Sequence, residues 1–327
     1  QQGIVIHTTG LSEGQLPLMS HLMKRALVLK FAHRRFRDIK QTLVANWQSA
    51  HQNQPLNKLF AELNQQLQPG LFRLPELANQ LSALSFREFT QALERMFEPV
   101  YIKAFMHGDW QTRQAHELAE LIQANLPTER PAQKDRDSVK KVSEFSNQEL
   151  EVPCSHPDNA ILLYQQGNND SEREQICYML LQQLVHQAFF HDIRTEKQLG
   201  YAAGSQYFPV QRLPGILFFV QSNSAPTDTL FDEVSDSLEK LFSRLDTTTL
   251  KVWHHTKAVL QQQIRTRDRS LRVKSQRLWG AIQLGDTSFN RQLRLLDALD
   301  NYQLTDWLTD IRQKLSQNSG WLRLQTS

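Results

Sequence analysis

Ile193-Arg194-Thr195-Glu196-Lys197-Gln198-Leu199-Gly200-Tyr201 closes a helical stretch and opens an extended one. Upstream, Met179, Leu180, Leu184, Val185 and Phe189 make the apolar face of a helix running from about Ser171 to His191. Gly200 is placed to allow a sharp turn, and a strand is predicted at about Tyr201–Phe208. A corner of this kind holds its side chains rigidly at the edge of a cavity. On residue types alone, the plainer reading has Arg194 capping its own helix and Tyr201 packed on the sheet.

Outward from this corner, strands are predicted near Gln148–Val152, Ala160–Tyr164 and Ile216–Val220, with a last one at Trp321–Leu324. Helices fill Thr227 to Leu315. Residues 127–149 are polar, charged and Pro-bearing without clear periodicity, which marks a linker. Before it, Gly3–Thr9 reads as a strand and Gln15–Leu67 as helical, Pro55 opening a fresh helix at its first turn. Ser85-Phe86-Arg87-Glu88 is a capping box, Pro99–Met106 reads as a strand, and Gln111–Asn125 as a helix. Strands alternating with long helices in this way predict an α+β fold.

Part of the pattern occurs twice. Gly3-Ile4-Val5-Ile6 followed by a helix parallels Gly215-Ile216-Leu217-Phe218 followed by a helix. Leu84-Ser85, Glu88-Phe89 and Leu93 parallel Leu299-Asp300, Gln303-Leu304 and Leu308, each copy then running into a strand. Either the chain holds two related units, or any two helix-then-strand stretches look alike. Duplication predicts two homologous domains, each a mostly antiparallel sheet with helices on one face. Their expected bounds are 1–128 and 148–327, with 129–147 between them. The first would lack its opening strands, and the chain would be a piece of a larger protein. It begins Gln1-Gln2-Gly3 without Met or signal peptide, so targeting information would sit upstream.

The composition narrows the function classes. The 327 residues, 40% hydrophobic, are enough for about two domains with real cores. A net charge of +3 is small for a nucleic-acid binder, and Arg265–Arg277 (RTRDRSLRVKSQR) has no aromatics to stack bases. That stretch reads as a solvated helix face, or as a surface lining a peptide-holding cavity. The apolar run Ile216–Val220 is too short to cross a bilayer. Cys154 and Cys177 make no disulfide scaffold and no cysteine-rich zinc module; both read as small buried side chains.

The sequence carries none of the common catalytic signatures. No glycine-rich phosphate cradle, Gly-x-Ser-x-Gly elbow, His-Glu-x-x-His or His-x-x-Glu-His occurs. His186 and His191 are five apart, which suits a chelate poorly, and His254-His255 point to different faces of a helix. His116-Glu117 has no second His four residues from the first. All read as ordinary surface or structural histidines, so no metal-binding and no catalytic residue is expected in this chain.

Arg194-Thr195-x-x-Gln198-Leu199-Gly200-Tyr201, however, closely resembles the Arg-Thr-x-x-Gln-Leu-Gly-Tyr signature of the pitrilysin/insulin-degrading-enzyme family. The similarity continues through Pro214-Gly215 and Phe218-Phe219-Val220-Gln221-Ser222-Asn223, and extends over essentially the whole chain. The resemblance implies zinc endopeptidases built of four α+β domains in two bowl-shaped halves around a chamber. In that family the first half carries His-x-x-Glu-His and the zinc, while the second binds substrate. This chain lacks the motif and so looks like the second, noncatalytic half, its zinc held by an amino-terminal catalytic half.

Carried over by position, Arg194 and Tyr201 match the family's substrate-contacting pair. A guanidinium or phenol donor suits a peptide carbonyl whose oxygen gains negative charge. The implied partners are peptide substrates and the catalytic half, with no nucleic acid and no membrane. The resemblance also implies a periplasmic location, a cytoplasmic one staying open. The rival reading is an inactive scaffold or interaction subunit of the same fold, against which the presence of both Arg194 and Tyr201 argues.

Overall fold

The computed structural model describes residues 4–26, 30–49, 54–96, 98, 100–126, 139–146, 148–316 and 320–327. In chain order the helices begin with α1 (Ser12–Ala26), α2 (His33–Gln48), α3 (Pro55–Leu67), α4 (Leu74–Ala83), α5 (Phe86–Arg95) and α6 (Thr112–Asn125). There follow β1 (Glu149–Val152), β2 (Asn159–Gln166), α7 (Glu172–Phe190), β3 (Ala202–Tyr207) and β4 (Gly215–Ser222). The chain ends with α8 (Thr227–Arg244), α9 (Leu250–Arg265), α10 (Leu271–Gln283), α11 (Arg291–Asp300), α12 (Leu304–Leu315) and β5 (Trp321–Thr326). Two compact units result: 1–48, 74–135 and 268–279 form one, and 49–73, 136–267 and 280–327 the other.

The second unit carries a five-stranded sheet in the order β1-β5-β2-β4-β3. Only β1 with β5 is parallel among its pairings; β5–β2, β2–β4 and β4–β3 are antiparallel. Residues 160–164 of β2 are an unbroken apolar run because both faces of the strand are covered. Ile161 and Leu163 point into a core with α7 residues Ile176, Leu180, Leu181, Val185 and Phe189. Ala160, Leu162 and Tyr164, one residue out of phase, enter a second core with Leu56, Leu59, Leu63 and Leu67 of α3. The α+β class and the mainly antiparallel sheet are as expected. Helices on one face only are not: α3, far earlier in the chain, covers the opposite face.

The first unit is helical among its described residues. Phe31, Phe36, Phe86 and Phe89 interlock, Phe36 stacking on Phe89 at 4.8 Å. Lys40 Nζ donates to the carbonyls of Ser82 and Leu84, both at 2.8 Å, closing the end of α4. The Ser85 capping box forms as read, Ser85 Oγ accepting from Glu88 N at 3.2 Å and Glu88 Oε2 from Ser85 N at 2.8 Å. Of the strands expected at Gly3–Thr9 and Pro99–Met106, residues 4–9 and 101–106 are without regular structure, and Val100 alone takes part in a bridge. Alternation alone cannot supply the partner that a strand needs for its N–H and C=O groups.

The second copy of the capping pattern also differs. Asp300 is the last residue of α11, and α12 starts after Gln303, whose side chain makes no cap. The parallel between Ser85 and Asp300 is therefore one of residue type and not of position in a helix. Most of the stretch read as a linker lies outside the described residues. Of its end, Val142 is buried beside α3, its N–H donating to Gln166 Oε1 at 2.8 Å.

Candidate functional site

Helix α7 does not stop at Phe190 but widens into a π-helical turn over His191–Glu196. The Lys197 N–H bonds the Asp192 carbonyl at 2.9 Å, five residues back, and Leu199 N–H bonds the Ile193 carbonyl at 3.1 Å. Wide turns of this kind shift side chains off the regular helical spacing. Buried Ile193 anchors the turn in the core, while Lys197 Nζ reaches Glu233 at 2.8 Å and Asp192 at 3.6 Å. The sharp turn falls on Gln198, at φ 52°, and not on Gly200. Gly200 is needed for space: a Cβ there would strike the Gln221 carbonyl and lie 2.8 Å from Val220 Cγ1.

Arg194 projects from the π turn into solvent, its guanidinium 5.3 Å from the Phe190 ring centre. Among the described residues it makes no ion pair. The neighbouring carboxylates are engaged elsewhere, Asp192 with Lys197 and Glu196 with His191. Among the described residues its donors bond no acceptor, so the expected helix-capping role is not what the side chain does.

Tyr201, 47% exposed, sits at the start of edge strand β3 in a network that residue order does not reveal. Its hydroxyl donates to Asp158 Oδ2 at 2.6 Å and accepts from Gln221 Nε2. The same Nε2 of Gln221, 1% exposed on β4, lies 3.1 Å from Asp158 Oδ2 and 3.2 Å from Gln54 Oε1, so its two protons are shared among three acceptors. Its own Oε1 accepts the Leu56 N–H at 3.4 Å. Gln221 thereby caps α3, whose N-cap Gln54 makes no side-chain cap. The phenol and amide bonds hold the Asp158 carboxyl below the usual carboxylate range, and the same bond raises the Tyr201 phenol. Arg194 takes no part in this network.

Asp158 and Gln54 carry no local sequence signal that would assign them to this network. Gln221 does carry a signal: an amide inside an apolar strand is a buried group that requires partners. The other candidates behave as structural groups. His186 Nδ1 lies 3.0 Å from the Ser205 carbonyl, and His191 pairs with Glu196 at 3.4 Å. Cys177 is buried and Cys154 partly so, both with free thiols. In the basic stretch, Arg265, Arg267, Arg269, Arg272 and Lys274 are exposed, and Arg277 forks onto Asp268 at 3.0 and 2.7 Å.

Comparison with known proteins agrees with this architecture. A family model described as "PQQ synthase PqqF-like, C-terminal lobe domain 4" matches residues 180–279, which include the corner. Insulin-degrading enzyme-like 1, peroxisomal, of Arabidopsis thaliana is 24% identical over 281 residues, 82% of this chain and 29% of that protein. The crystal structure of pitrilysin matches with a TM-score of 0.79 at 16% identity, over 97% of this chain and 34% of that one. The peptidase M16 inactive domain from Pseudomonas fluorescens matches at 0.65 and 15% identity, over 96% and 74%.

The fold is that of the pitrilysin-type peptidase domains. Within that class, the chain resembles the carboxy-terminal half of the pitrilysin/insulin-degrading-enzyme family, as the Arg194–Tyr201 motif implied. It spans 29% of the length of the Arabidopsis relative.

That family implies zinc. Among the described residues no group of three His, Cys, Asp or Glu could hold a metal ion. The corner itself offers one carboxylate already bonded by a phenol and an amide, beside a guanidinium, and this donor set does not fit zinc. Also among the described residues, no helix is long and apolar enough to cross a membrane.

Proposed function

We propose that this chain is the substrate-binding, noncatalytic half of a zinc metalloendopeptidase, enclosing peptides together with an amino-terminal half that holds the metal. The reading includes a periplasmic location and peptide substrates as partners. The observation that carries it is Arg194: an exposed guanidinium with no carboxylate partner among the described residues, held on a π-helical turn next to the Tyr201 corner. A surface arginine that only stabilised its helix would bond the last carbonyls or a neighbouring acid. A free planar fork instead suits the carbonyl oxygens of a bound peptide.

The test is Arg194→Ala and Tyr201→Phe in the full-length peptidase. Each should lower kcat/KM while leaving Tm within about 2 °C, since Arg194 is exposed and Tyr201→Phe keeps the half-exposed ring. A donor facing the developing oxyanion would cost about 10²–10³ in kcat. A contact with the ground-state peptide would raise KM instead. Normal turnover in both variants would refute the proposal and favour the scaffold reading.

A further inference from the structure

The helix layer of the second unit leaves part of its sheet bare. Helices α7 and α8 pack over β3, β4 and β2. Alternation along β5 sends Leu322 and Leu324 to the α3 side and Trp321, Arg323 and Gln325 to this one. Arg323 pairs with Glu149 of β1 at 3.0 Å, and Gln325 Nε2 donates to Glu151 Oε1 at 3.3 Å. Arg323, Glu149 and Glu151 are all exposed, so among the described residues no helix covers this strip. Two strands about 4.8 Å apart make a strip about 10 Å wide, which is the diameter of one helix.

Between α8 and the strip lies an open groove of about 470 Å³. Its floor is apolar, formed by Leu163, Leu238, Phe242, Leu315 and Trp321, with the Phe242 and Trp321 rings 6.3 Å apart. The groove is preformed. Gln165, the register partner of Trp321 and 2% exposed, donates from Nε2 to the Lys314 carbonyl at 2.9 Å, which fixes the end of α12 beside it.

One wall is acidic. Asp228, Asp232, Asp236 and Glu239 recur at i, i+4, i+8 and i+11, so they share one face of α8, next to Phe242. Glu239 itself lines the groove. All four are exposed, and among the described residues none makes an ion pair or a hydrogen bond. Like charges four residues apart destabilise a helix, a cost that cations laid alongside would offset.

We infer that groove and strip form a docking surface for a basic, amphipathic helix of a partner polypeptide. It lies beside α8, with apolar side chains in the groove and Lys or Arg along the acidic stripe. Packed helices run 8–10 Å apart, which brings such cations within reach of the carboxylates. The stripe is about 16 Å long at 1.5 Å per residue, three turns of the partner. A second copy of this chain fits poorly, because two such surfaces packed on each other would oppose acid to acid. The surface lies wholly in the second unit, and its role does not depend on the corner binding peptide.

The probe is a fluorescein-labelled peptide of about 18 residues, with Leu at i, i+3, i+4 and i+7 spacing flanked by Lys. Anisotropy follows its binding to the 327-residue chain and to the full-length peptidase. Binding should saturate with both, and a peptide with Ser for each Leu should not bind. Trp321→Ala should weaken binding about tenfold. Because that change can disturb β5, Asp236→Lys with Glu239→Lys, both at exposed positions, is the second variant. It should lose about tenfold for the Lys peptide at low salt and gain binding to the same peptide carrying Glu for Lys.

No saturable binding, or equal binding of both peptides by the charge-reversed variant, would overturn the inference. Binding by the 327-residue chain alone would overturn it in favour of a face covered within the full-length protein. Self-association of the chain that Trp321→Ala abolishes would overturn it in favour of a second copy.

Discussion

Replacing Gly200 by Ala tests why glycine stands at the corner. Its backbone is not left-handed, so no φ strain is at stake; the demand is for space. The added Cβ would meet the Gln221 carbonyl and carbonyl carbon and sit 2.8 Å from Val220 Cγ1. Strand β4 cannot recede, being paired to β2 on its other side across eight residues from Asn159↔Ser222 to Gln166↔Gly215. Edge strand β3 must give way, beginning at Ala202↔Gln221.

Overpacking of this kind costs about 1–3 kcal/mol, and a loosened ladder bond adds about 1 kcal/mol. The expected loss is about 2–4 kcal/mol, a fall in Tm of roughly 5–15 °C for a unit of this size. Gln198→Gly is the control. The glycine relieves the cost of φ 52° and adds freedom to the unfolded chain, so its effect should stay within about 1 kcal/mol. Urea denaturation of the two variants decides. Gly200→Ala as stable as the parent, or Gln198→Gly the more damaging of the pair, would refute the reasoning.

Two further outcomes follow from burial and charge. Ser288 and then Arg294 hold the Asp286 carboxyl down at about 2, below its ordinary 3.8. A depressed acid stabilises the fold above its unfolded value, so the contribution of about 2 kcal/mol is present at neutral pH and fades as pH falls from about 4 through 2. Asp286→Asn should lower the urea midpoint at pH 7 and show a shallower acid loss; an unchanged midpoint would contradict this. Burial pushes the Cys177 thiol up to about 12, while Cys154 is partly exposed. A thiol reagent should label one cysteine per native chain and the second only in denaturant, and two equally fast thiols would be inconsistent with the packing.

The features legible in the sequence are those whose causes lie within a few residues of one another. The Ser85–Glu88 box closes across three residues, and Pro55 opens α3 because its ring fits the first turn. Residues 160–164 are apolar throughout because both faces of β2 are buried, and that run is visible without any structure. The motif from Arg194 to Tyr201 located the corner by the same local logic.

Tertiary structure alone decided the rest. Periodicity shows that Leu59, Leu63 and Leu67 share a face, but not that this face covers a sheet whose strands come about a hundred residues later. Asp158, Tyr201, Gln221 and Gln54 meet only because β2, β3 and β4 pair in one register and α3 packs across them. The proton of Tyr201 points to Asp158 for the same reason. Residue type states that a phenol can donate or accept; which it does depends on the partner that folding places beside it.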